Sequence, residues 1–313
     1  MKNRLLLILP LLLFVAVLAL VPLFGNNYLL RLATIMCMYA GLALSWNIIG
    51  GMAGYPSFAT AAFFGLGAYV SGVLQSMGTP MVLAWFSAGL FTMIFAALMG
   101  MAILHLKGHY FAIASLAIAE VLREVVNSAG DLTGGGMGLN LPILALPVDA
   151  QARFFFAVML AMAVLLIVMN IVVSRSKLGF GLNCINQNED AANILGVNTT
   201  LYKVTAFALS AVGVGIIGAI YASWVHYIEP PDVFDILYSV KPLVMVLLGG
   251  LGTIYGPVLG AFVYLALEEL VWRNFLTVHA AVLGLLIVVL VLFLPNGLLA
   301  LIRERLPKKE VRS

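Results

Sequence analysis

The stretch ARFFFAVMLAMAVLLIVMNIVV, residues 152–173, decides the fold class of this chain. It carries a single charged side chain, Arg153, and a single amide, Asn170. A helix rises about 1.5 Å per residue, so a run of this length crosses the hydrocarbon core of a bilayer, which is about 30 Å thick. The sequence therefore predicts a membrane-spanning helix at this point.

Working outward, apolar runs of the same kind fill most of the chain and predict an all-α, polytopic integral membrane helical bundle. The run at 238–249 is short and the run at 109–126 ends in charges, so either could be a half-helix. We therefore expect about ten transmembrane helices, within a range of eight to eleven, including broken or short ones. The predicted spans are 5–24, 28–49, 57–77, 81–104, 109–126, 152–173, 204–225, 238–249, 255–272 and 278–298.

The composition supports this class and excludes others. Of the 313 residues, 63% are apolar and 9% are charged, whereas soluble domains carry about 25% charged residues. Too few polar groups are present to cover a water-facing globule or to keep a chain disordered. The 16 basic and 13 acidic residues leave a net charge of only +3, which argues against a nucleic-acid partner and leaves the lipid bilayer as the surroundings.

The first span resembles a signal peptide, because Lys2 and Arg4 precede an apolar run. The run is longer than a usual signal sequence and lacks a small-residue cleavage site before Pro22, so we interpret it as an anchor helix.

On a ten-span topology both termini face the inside, and the basic residues agree. Eleven of the 16 Lys and Arg residues fall on inside segments and five fall outside or at outer helix ends. Inside segments of membrane proteins carry the excess of basic residues, so an N-in, C-in orientation is predicted. The inside residues are Lys2, Arg4, Lys107, Arg175, Lys177, Lys203, Arg303, Arg305, Lys308, Lys309 and Arg312; the others are Arg31, Arg123, Arg153, Lys241 and Arg273.

Two polar segments interrupt the apolar pattern. Residues 127–150 lie outside on this topology, and four closely spaced glycines make them a flexible or tightly turning loop. Residues 174–203 form the largest inside segment, too short for a domain with its own core. We expect them to form one or two short helices on the membrane surface, with an apolar side against the bundle or a partner.

The sequence lacks the motifs of a nucleotide-binding protein or an enzyme. No GxxxxGK[ST] loop, HExxH spacing or nucleophile motif occurs, and the cysteines suit neither a disulfide framework nor a metal site. We therefore expect no catalytic residue, no cofactor and no metal in this chain. The histidines and cysteines are His105, His109, His226, His279, Cys37 and Cys184.

Charged residues cluster near two predicted span ends, where contact with water at the membrane surface is enough to explain them. Glu120, Arg123 and Glu124 share a helix face, either as an outer end that reaches water or as the lining of a polar cavity or subunit contact. Glu268 and Glu269 precede Trp272 and Arg273 at another outer end, where interfacial anchoring is the better interpretation.

Glycine-rich breaks occur in both halves of the chain. Gly50, Gly51 and Gly54 separate two apolar runs, and Gly249–Gly252 precede a third. Broken helices in membranes lie where protein or a water-filled cavity surrounds the freed backbone. Paired breaks indicate a transport pathway, although tight helix packing would also explain the glycines.

Six blocks then carry a family likeness, in one order over most of residues 50–301. Together they resemble the M-type permease subunits of branched-chain amino acid ABC importers, the LivM-like permeases. The blocks are GYPSFATAAFFGLGAY (54–69), KGHYFAIASLAIAEVLREVVNSAGDLTGGGMG (107–138), RSKLGFGLNCINQNEDAANILGVN (175–198), KVTAFALSAVGVGIIGAIYA (203–222), LVMVLLGGLGTIYGPVLGAF (243–262) and FLPNGLLAL (293–301).

The resemblance implies a transport subunit rather than an enzyme, in the bacterial plasma (inner) membrane. Its implied partners are a homologous H-type permease, two cytosolic ABC ATPases that bind ATP and Mg, and an extracytoplasmic substrate-binding protein. Residues 1–301 would form the permease domain, including segment 174–203, and 302–313 a basic cytoplasmic tail.

Segment 175–198 matches the family's coupling loop, which inserts a short helix into the ATPase. It departs from the family pattern at Phe180, Asn183, Asn186 and Gln187, where basic residues are usual. Lys177 replaces the usual proline. The coupling residues implied are Arg175, Ser176, Gly179, Glu189, Asp190, Ala191, Ala192 and Gly196.

The same resemblance guides the assignment of the pathway and of the docking surface. Loops 127–150 and 226–237 would receive the binding protein, the first through Asp131, Thr133, Gly134 and Gly135. Tyr55-Pro56 replace the family's usual polar pair before the pathway block. The predicted pathway residues are Ser57, Phe58, Phe64, Tyr69, Tyr110, Phe111 and Glu120.

The cargo and the energy source each leave alternatives open. A small hydrophobic amino acid is the leading cargo, and urea, short amides or an organic carboxylate would suit the same architecture. A self-sufficient carrier or channel would need a buried ion relay, and an intramembrane enzyme would need a catalytic dyad or metal ligands.

Overall fold

The computed structural model describes residues 26–274 and, beyond them, residues 281–282, 284–285, 288–289 and 297–300. Helices make up most of this part, and the strands in it form one short antiparallel pair, so the fold is all-α. The first predicted span, most of the last one and the predicted tail lie outside the described residues.

The elements follow one another as helices joined by short connections. A π-helical segment, Asn47–Met52, continues α1, and a 3₁₀ turn, Gly135–Met137, precedes β1. The helices are α1 Asn27–Trp46, α2 Thr60–Ser76, α3 Met81–Ile103, α4 His109–Ser128, α5 Gly130–Thr133, α6 Val148–Arg175, α7 Lys177–Gln187, α8 Glu189–Ile194, α9 Thr199–Val225, α10 Pro230–Val233, α11 Leu237–Gly249 and α12 Gly256–Asn274; the strands are β1 Leu139–Asn140 and β2 Tyr227–Ile228.

Eight of the ten predicted spans coincide with α1, α2, α3, α4, α6, α9, α11 and α12. Among the described residues, four helices are long and apolar enough to cross a membrane: Asn27–Met52, Met81–Ile103, Val148–Arg175 and Thr199–Val225. The other four are shorter or less apolar, and α11 is a half-length helix, as its short apolar run predicted. The chain is thus a helical membrane protein, and the total of ten spans and the N-in, C-in orientation stay predictions.

The core forms where α9 packs against α2, α3 and α1. Small residues allow this close approach. A Cβ atom on Gly67 of α2 would lie 2.1 Å from the carbonyl oxygen of Gly215 on α9, so only glycine fits at this crossing. Outward from this core, α3 carries large exposed apolar side chains such as Phe86 and Leu90, as expected of a surface that meets lipid or another subunit.

Helix α6 separates the two polar segments. Its 28 residues make it about 42 Å long. Residues 129–147 precede its first residue and lie beside the β1–β2 pair, and we call this the hairpin end of the molecule. Residues 176–198 follow the last residue of α6, and we call the end of the molecule that they form the short-helix end. The two polar segments predicted from the sequence therefore lie at opposite ends of the bundle.

Candidate functional site

Residues 176–198 fold into two short helices, α7 and α8, as predicted. Each begins at a capping side chain: the Ser176 hydroxyl accepts a hydrogen bond from the Gly179 amide, and Asn188 Oδ1 accepts one from the Ala191 amide at 3.0 Å. Such side chains satisfy amides that the first helical turn leaves free. After α8 the chain turns at Gly196, whose φ is +87°, a left-handed conformation that suits glycine after the end of a helix.

A buried ion pair attaches α8 to the membrane helices. Lys203 Nζ lies 2.6 Å from Glu189 Oε1, and the lysine side chain is only 3% exposed. The same ammonium donates to the Leu104 carbonyl at 2.7 Å and to the Tyr55 hydroxyl at 3.0 Å. All three of its hydrogen atoms are therefore used. The Tyr55 hydroxyl in turn donates to the second oxygen of Glu189.

These contacts set the charge state of Glu189. Partial burial alone would raise the pKa of its carboxyl group. Hydrogen bonds from Lys203 and Tyr55, together with the positive charge of Lys203, outweigh that effect and lower the pKa. Burial raises the pKa of Tyr55, and so does its hydrogen bond to Glu189. The arrangement therefore holds a carboxylate beside an ammonium and a neutral phenol.

The short-helix end also reaches the first helix break. Asn186 Nδ2 donates to the Gly51 carbonyl at 3.4 Å. Residues 53–59 that follow are not a regular helix, and side chains satisfy their backbone: Trp46 Nε1 donates to the Ser57 carbonyl at 2.7 Å, and the Phe58 amide donates to Ser115 at 2.9 Å. Such pairing makes irregular backbone tolerable at membrane depth.

The two glycine-rich breaks meet through one amide side chain. Asn47 Oδ1 accepts from the Gly252 amide at 3.0 Å, and Asn47 Nδ2 donates to the Thr253 carbonyl at 3.0 Å. The same side chain donates to Asn170 on α6 at 3.2 Å. The predicted breaks are confirmed, and they form one polar junction inside an apolar bundle.

The coupling residues predicted from the sequence all lie at the short-helix end. Ala192 is buried and packs α8 onto the bundle, whereas Asp190 is exposed and pairs with Lys107 at 3.0 Å. The most prominent groups are two that the prediction omitted, Ile194 and Leu195, which are 87% and 80% exposed. An apolar tip of this kind is typical of a contact with a partner.

At the hairpin end, the predicted docking residues have different roles. Asp131 is exposed, but Thr133 is buried and its hydroxyl donates to the Val126 carbonyl at 2.6 Å. Gly134 and Gly135 have φ values of +74° and +55° and shape the turn rather than present side chains. Next to them, Met137 is 88% exposed.

The predicted pathway residues do not converge on one space. Phe64 stacks on Tyr238 with ring centroids 4.1 Å apart, so it lies behind the wall of the cavity described next. Glu120 is exposed and pairs with Arg123 at 2.7 Å. Buried members of the set are Ser57, Phe64, Tyr69 and Phe111; Phe58 is half-buried, and Tyr110 and Glu120 are exposed.

A cavity of about 780 Å³ opens at the hairpin end, among α1, α6, α9, α11 and α12. Its lining includes Arg31, Lys241, Glu268 and Glu269. Lys241 Nζ lies 2.8 Å from Glu268 Oε1 and 5.4 Å from the ring centroid of Tyr39. Glu268 is thus part of a cavity, a role that its interpretation as an interfacial anchor missed. The sequence does contain a signal for this cavity: Lys241 lies early in the predicted span 238–249, and Glu268 lies late in the next span, 255–272.

Within the part of the chain that the structure describes, no three His, Cys, Asp or Glu side chains cluster in a way that could hold a metal ion. Cys37 is buried and Cys184 half-buried, and neither forms a disulfide.

Comparisons with known proteins show which family this chain is similar to. The profile of the family described as branched-chain amino acid transport system, permease component, matches residues 28–294. The high-affinity branched-chain amino acid transport permease LivM of Salmonella typhimurium is 28% identical over 307 residues, covering 89% of this chain and 71% of the relative. The probable LivM of Methanocaldococcus jannaschii is 22% identical, with coverages of 84% and 90%. The permease LivH of Salmonella typhimurium is 24% identical, with coverages of 85% and 92%. No solved structure matches the chain.

Proposed function

The chain belongs to the branched-chain amino acid transport permease family, whose profile covers residues 28–294, and we propose that it is the M-type permease subunit of an ATP-driven importer. It is a transport subunit and not itself an enzyme. Branched-chain amino acids are the proposed cargo, because the relatives named LivM carry that description. The proposed location of this multi-pass protein is the bacterial inner membrane.

The proposed assembly contains two permeases, two ATPases and a binding protein. Similarity to relatives named LivM and to relatives named LivH supports the pairing of this chain with a homologous H-type permease. ATP and Mg²⁺ would bind to the two cytosolic ATPases. The extracytoplasmic binding protein would dock at the hairpin end, where Asp131 and Met137 are exposed.

The buried contact of Glu189 with Lys203 and Tyr55 is the observation that carries this proposal. It joins α8 to α9 and to the irregular residues before α2. A movement imposed on the exposed tip of α8 is therefore transmitted to the helix break rather than absorbed by a flexible loop. A partner that contacts this tip differently in two states would bias the bundle between two arrangements.

The proposed pathway leads from the hairpin-end cavity towards the polar junction at Asn47. Closure of the ATPases would move α8, and Asn186 and Tyr55 would carry that movement to residues 47–59. The residues selected from the sequence remain candidates for the lining of an open state: Ser57, Phe58, Phe64, Tyr69, Tyr110, Phe111 and Glu120.

Ile194→Glu tests the coupling role without disturbing the core, since the Ile194 side chain is exposed. We expect ATPase association with the permease to weaken about tenfold or more, because a charge replaces a central apolar contact. Co-purification of the ATPases and binding-protein-stimulated ATP hydrolysis measure the effect.

Met137→Glu is the matched control, because it places the same acidic side chain on an equally exposed apolar residue at the opposite end. It should leave ATPase co-purification unchanged. Wild-type ATPase association and uptake in Ile194→Glu would overturn the coupling role of α8.

A further inference from the structure

The cavity at the hairpin end combines opposite charges in one small space. Two cations, Arg31 and Lys241, and two carboxylates, Glu268 and Glu269, line it. Formal charge in the lining therefore sums to zero. Its volume of about 780 Å³ lies in the range of small-molecule sites, about 300–1,000 Å³.

An aromatic and aliphatic wall faces these charges. The rings of Tyr39 and Tyr238 stack with centroids 6.1 Å apart, and Met38 and Leu265 lie beside them in the lining. Phe64 packs behind Tyr238 and is fully buried, so this wall is backed by the core. The wall offers an apolar surface to a ligand whose polar end meets the charges.

The ion pairing in the cavity leaves room for a charged ligand. Lys241 and Glu268 are 18% and 30% exposed and face each other across the gap between α11 and α12. The Tyr28 hydroxyl and Arg273 hold Glu269. Arg31 forms no side-chain hydrogen bond or ion pair with any residue in the described ranges and lies at the rim. A carboxylate would gain charge-assisted hydrogen bonds from Arg31 or Lys241, and an ammonium would gain them from Glu268.

We propose that this cavity is a transient binding site for a zwitterionic α-amino acid with an apolar side chain. The carboxylate of the ligand would replace Glu268 as the partner of Lys241, and its ammonium would replace Lys241 as the partner of Glu268. This exchange keeps the local charge at zero, whereas a ligand with a net charge would leave it unbalanced. The side chain of the ligand would lie against Tyr39, Tyr238 and Leu265. The inference rests on the proposed function, because it concerns the cargo of the same transporter.

The double variant Lys241→Met with Glu268→Gln separates a binding role from a structural one. Removing both charges leaves no unpaired ion, so the complex should keep its thermal stability. Leucine uptake by the complete importer in proteoliposomes should fall about tenfold or more, since the ligand loses two charge-assisted partners. If the ion pair only holds α11 to α12, uptake should fall no further than the loss of thermal stability explains. That result, or wild-type uptake in the double variant, would overturn the proposal.

Arg31→Gln gives a second test that does not depend on the stability of the ion pair. Arg31 is exposed, so its replacement should leave the melting temperature unchanged and lower leucine uptake several-fold. Wild-type uptake in this variant would contradict a role for Arg31 in the site. If the wild-type importer transports no branched-chain amino acid at all, the proposed function fails. If the wild type transports and both variants match it, only the cavity assignment fails.

Discussion

Two lysine–glutamate pairs of similar length lie at the two ends of this molecule, and their surroundings differ. Lys203 and Glu189 are 2.6 Å apart, and the lysine is buried with every hydrogen atom donated. Lys241 and Glu268 are 2.8 Å apart, but they line a cavity. The first pair has no room to exchange partners, whereas the second can accept a ligand.

The same type of ion pair therefore has a different role at each end of the molecule. Removing one member of a buried pair leaves an uncompensated charge, which costs about 3–5 kcal/mol. A pair of solvent-exposed side chains contributes about 1 kcal/mol or less. Lys241 and Glu268, at 18% and 30% exposed, lie between these two cases. We therefore interpret the short-helix end as a fixed joint that transmits movement and the hairpin end as a site where contacts are exchanged. Changes in stability should separate the two.

The largest effect is expected for Lys203→Met. It strips Glu189, Tyr55 and the Leu104 carbonyl of a shared donor, so the folded state should lose about 3–5 kcal/mol. Thermal unfolding of the purified complex in detergent measures this loss. Lys241→Met is the matched control and should cost less than Lys203→Met, because its partner Glu268 is 30% exposed and can be hydrated in the cavity, whereas Glu189 is 15% exposed. Equal losses in the two variants would remove the distinction between joint and site.

A smaller effect is expected in the helices that hold the two ends apart. In Gly67→Ala the new methyl group would meet the Gly215 carbonyl at 2.1 Å, so α2 and α9 must separate. Overpacking of this kind costs about 1–3 kcal/mol. Gly130→Ala is the control, because a Cβ atom there meets nothing within 4 Å.

The Gly67 variant should lose both stability and uptake, since both ends depend on the same helix crossing. Melting temperature and leucine uptake are the measurements. A Gly67→Ala protein as stable as Gly130→Ala would show that the crossing can relax, and the bundle would then be a poor transmitter of movement.

Much of this architecture follows from local sequence. Apolar runs locate the helices, and Ser176, Asn188 and Gly196 fix the ends of α7 and α8 through capping and a positive φ. These signals act over a few residues. Length and hydropathy therefore predict the helices found at eight of the ten expected spans, and the polar segment 174–203 predicts one or two short helices, of which the structure has two.

Other features depend on contacts between distant residues and could not be predicted in this way. Tyr55 and Glu189 are 134 positions apart, and Lys241 and Glu268 are 27 apart. Composition indicates that such charges are costly in a membrane but does not identify their partners. The sequence predicts Thr133 as a docking residue, but its hydroxyl group donates a hydrogen bond to the nearby Val126 carbonyl. Burial and partners at these positions are properties of the assembled fold.

Acid should weaken the fixed joint selectively. The pKa of Glu189 is lowered in the folded protein, so its contribution to stability is present above its ordinary pKa of 4.5 and is lost as the pH falls through the lower folded value. The melting temperature of the wild type should therefore fall more steeply below pH 4.5 than that of Glu189→Gln. If the melting temperatures of the two proteins changed with pH in the same way, the charge of Glu189 would make no contribution to stability.

The smallest effect is expected for Lys107→Ala, a change between α3 and α4 at the partner of a second acidic residue of α8. Lys107 pairs with Asp190, which follows Glu189 directly, at 3.0 Å, but both side chains are exposed. Water and salt already solvate these charges, so the melting temperature should stay within error of the wild type at physiological salt. The comparison with Lys203→Met isolates burial, because both lysines contact neighbouring acidic residues of α8 at similar distances. A large loss in Lys107→Ala would mean that net charge at this end, rather than the buried contact of Glu189, attaches α8 to the bundle.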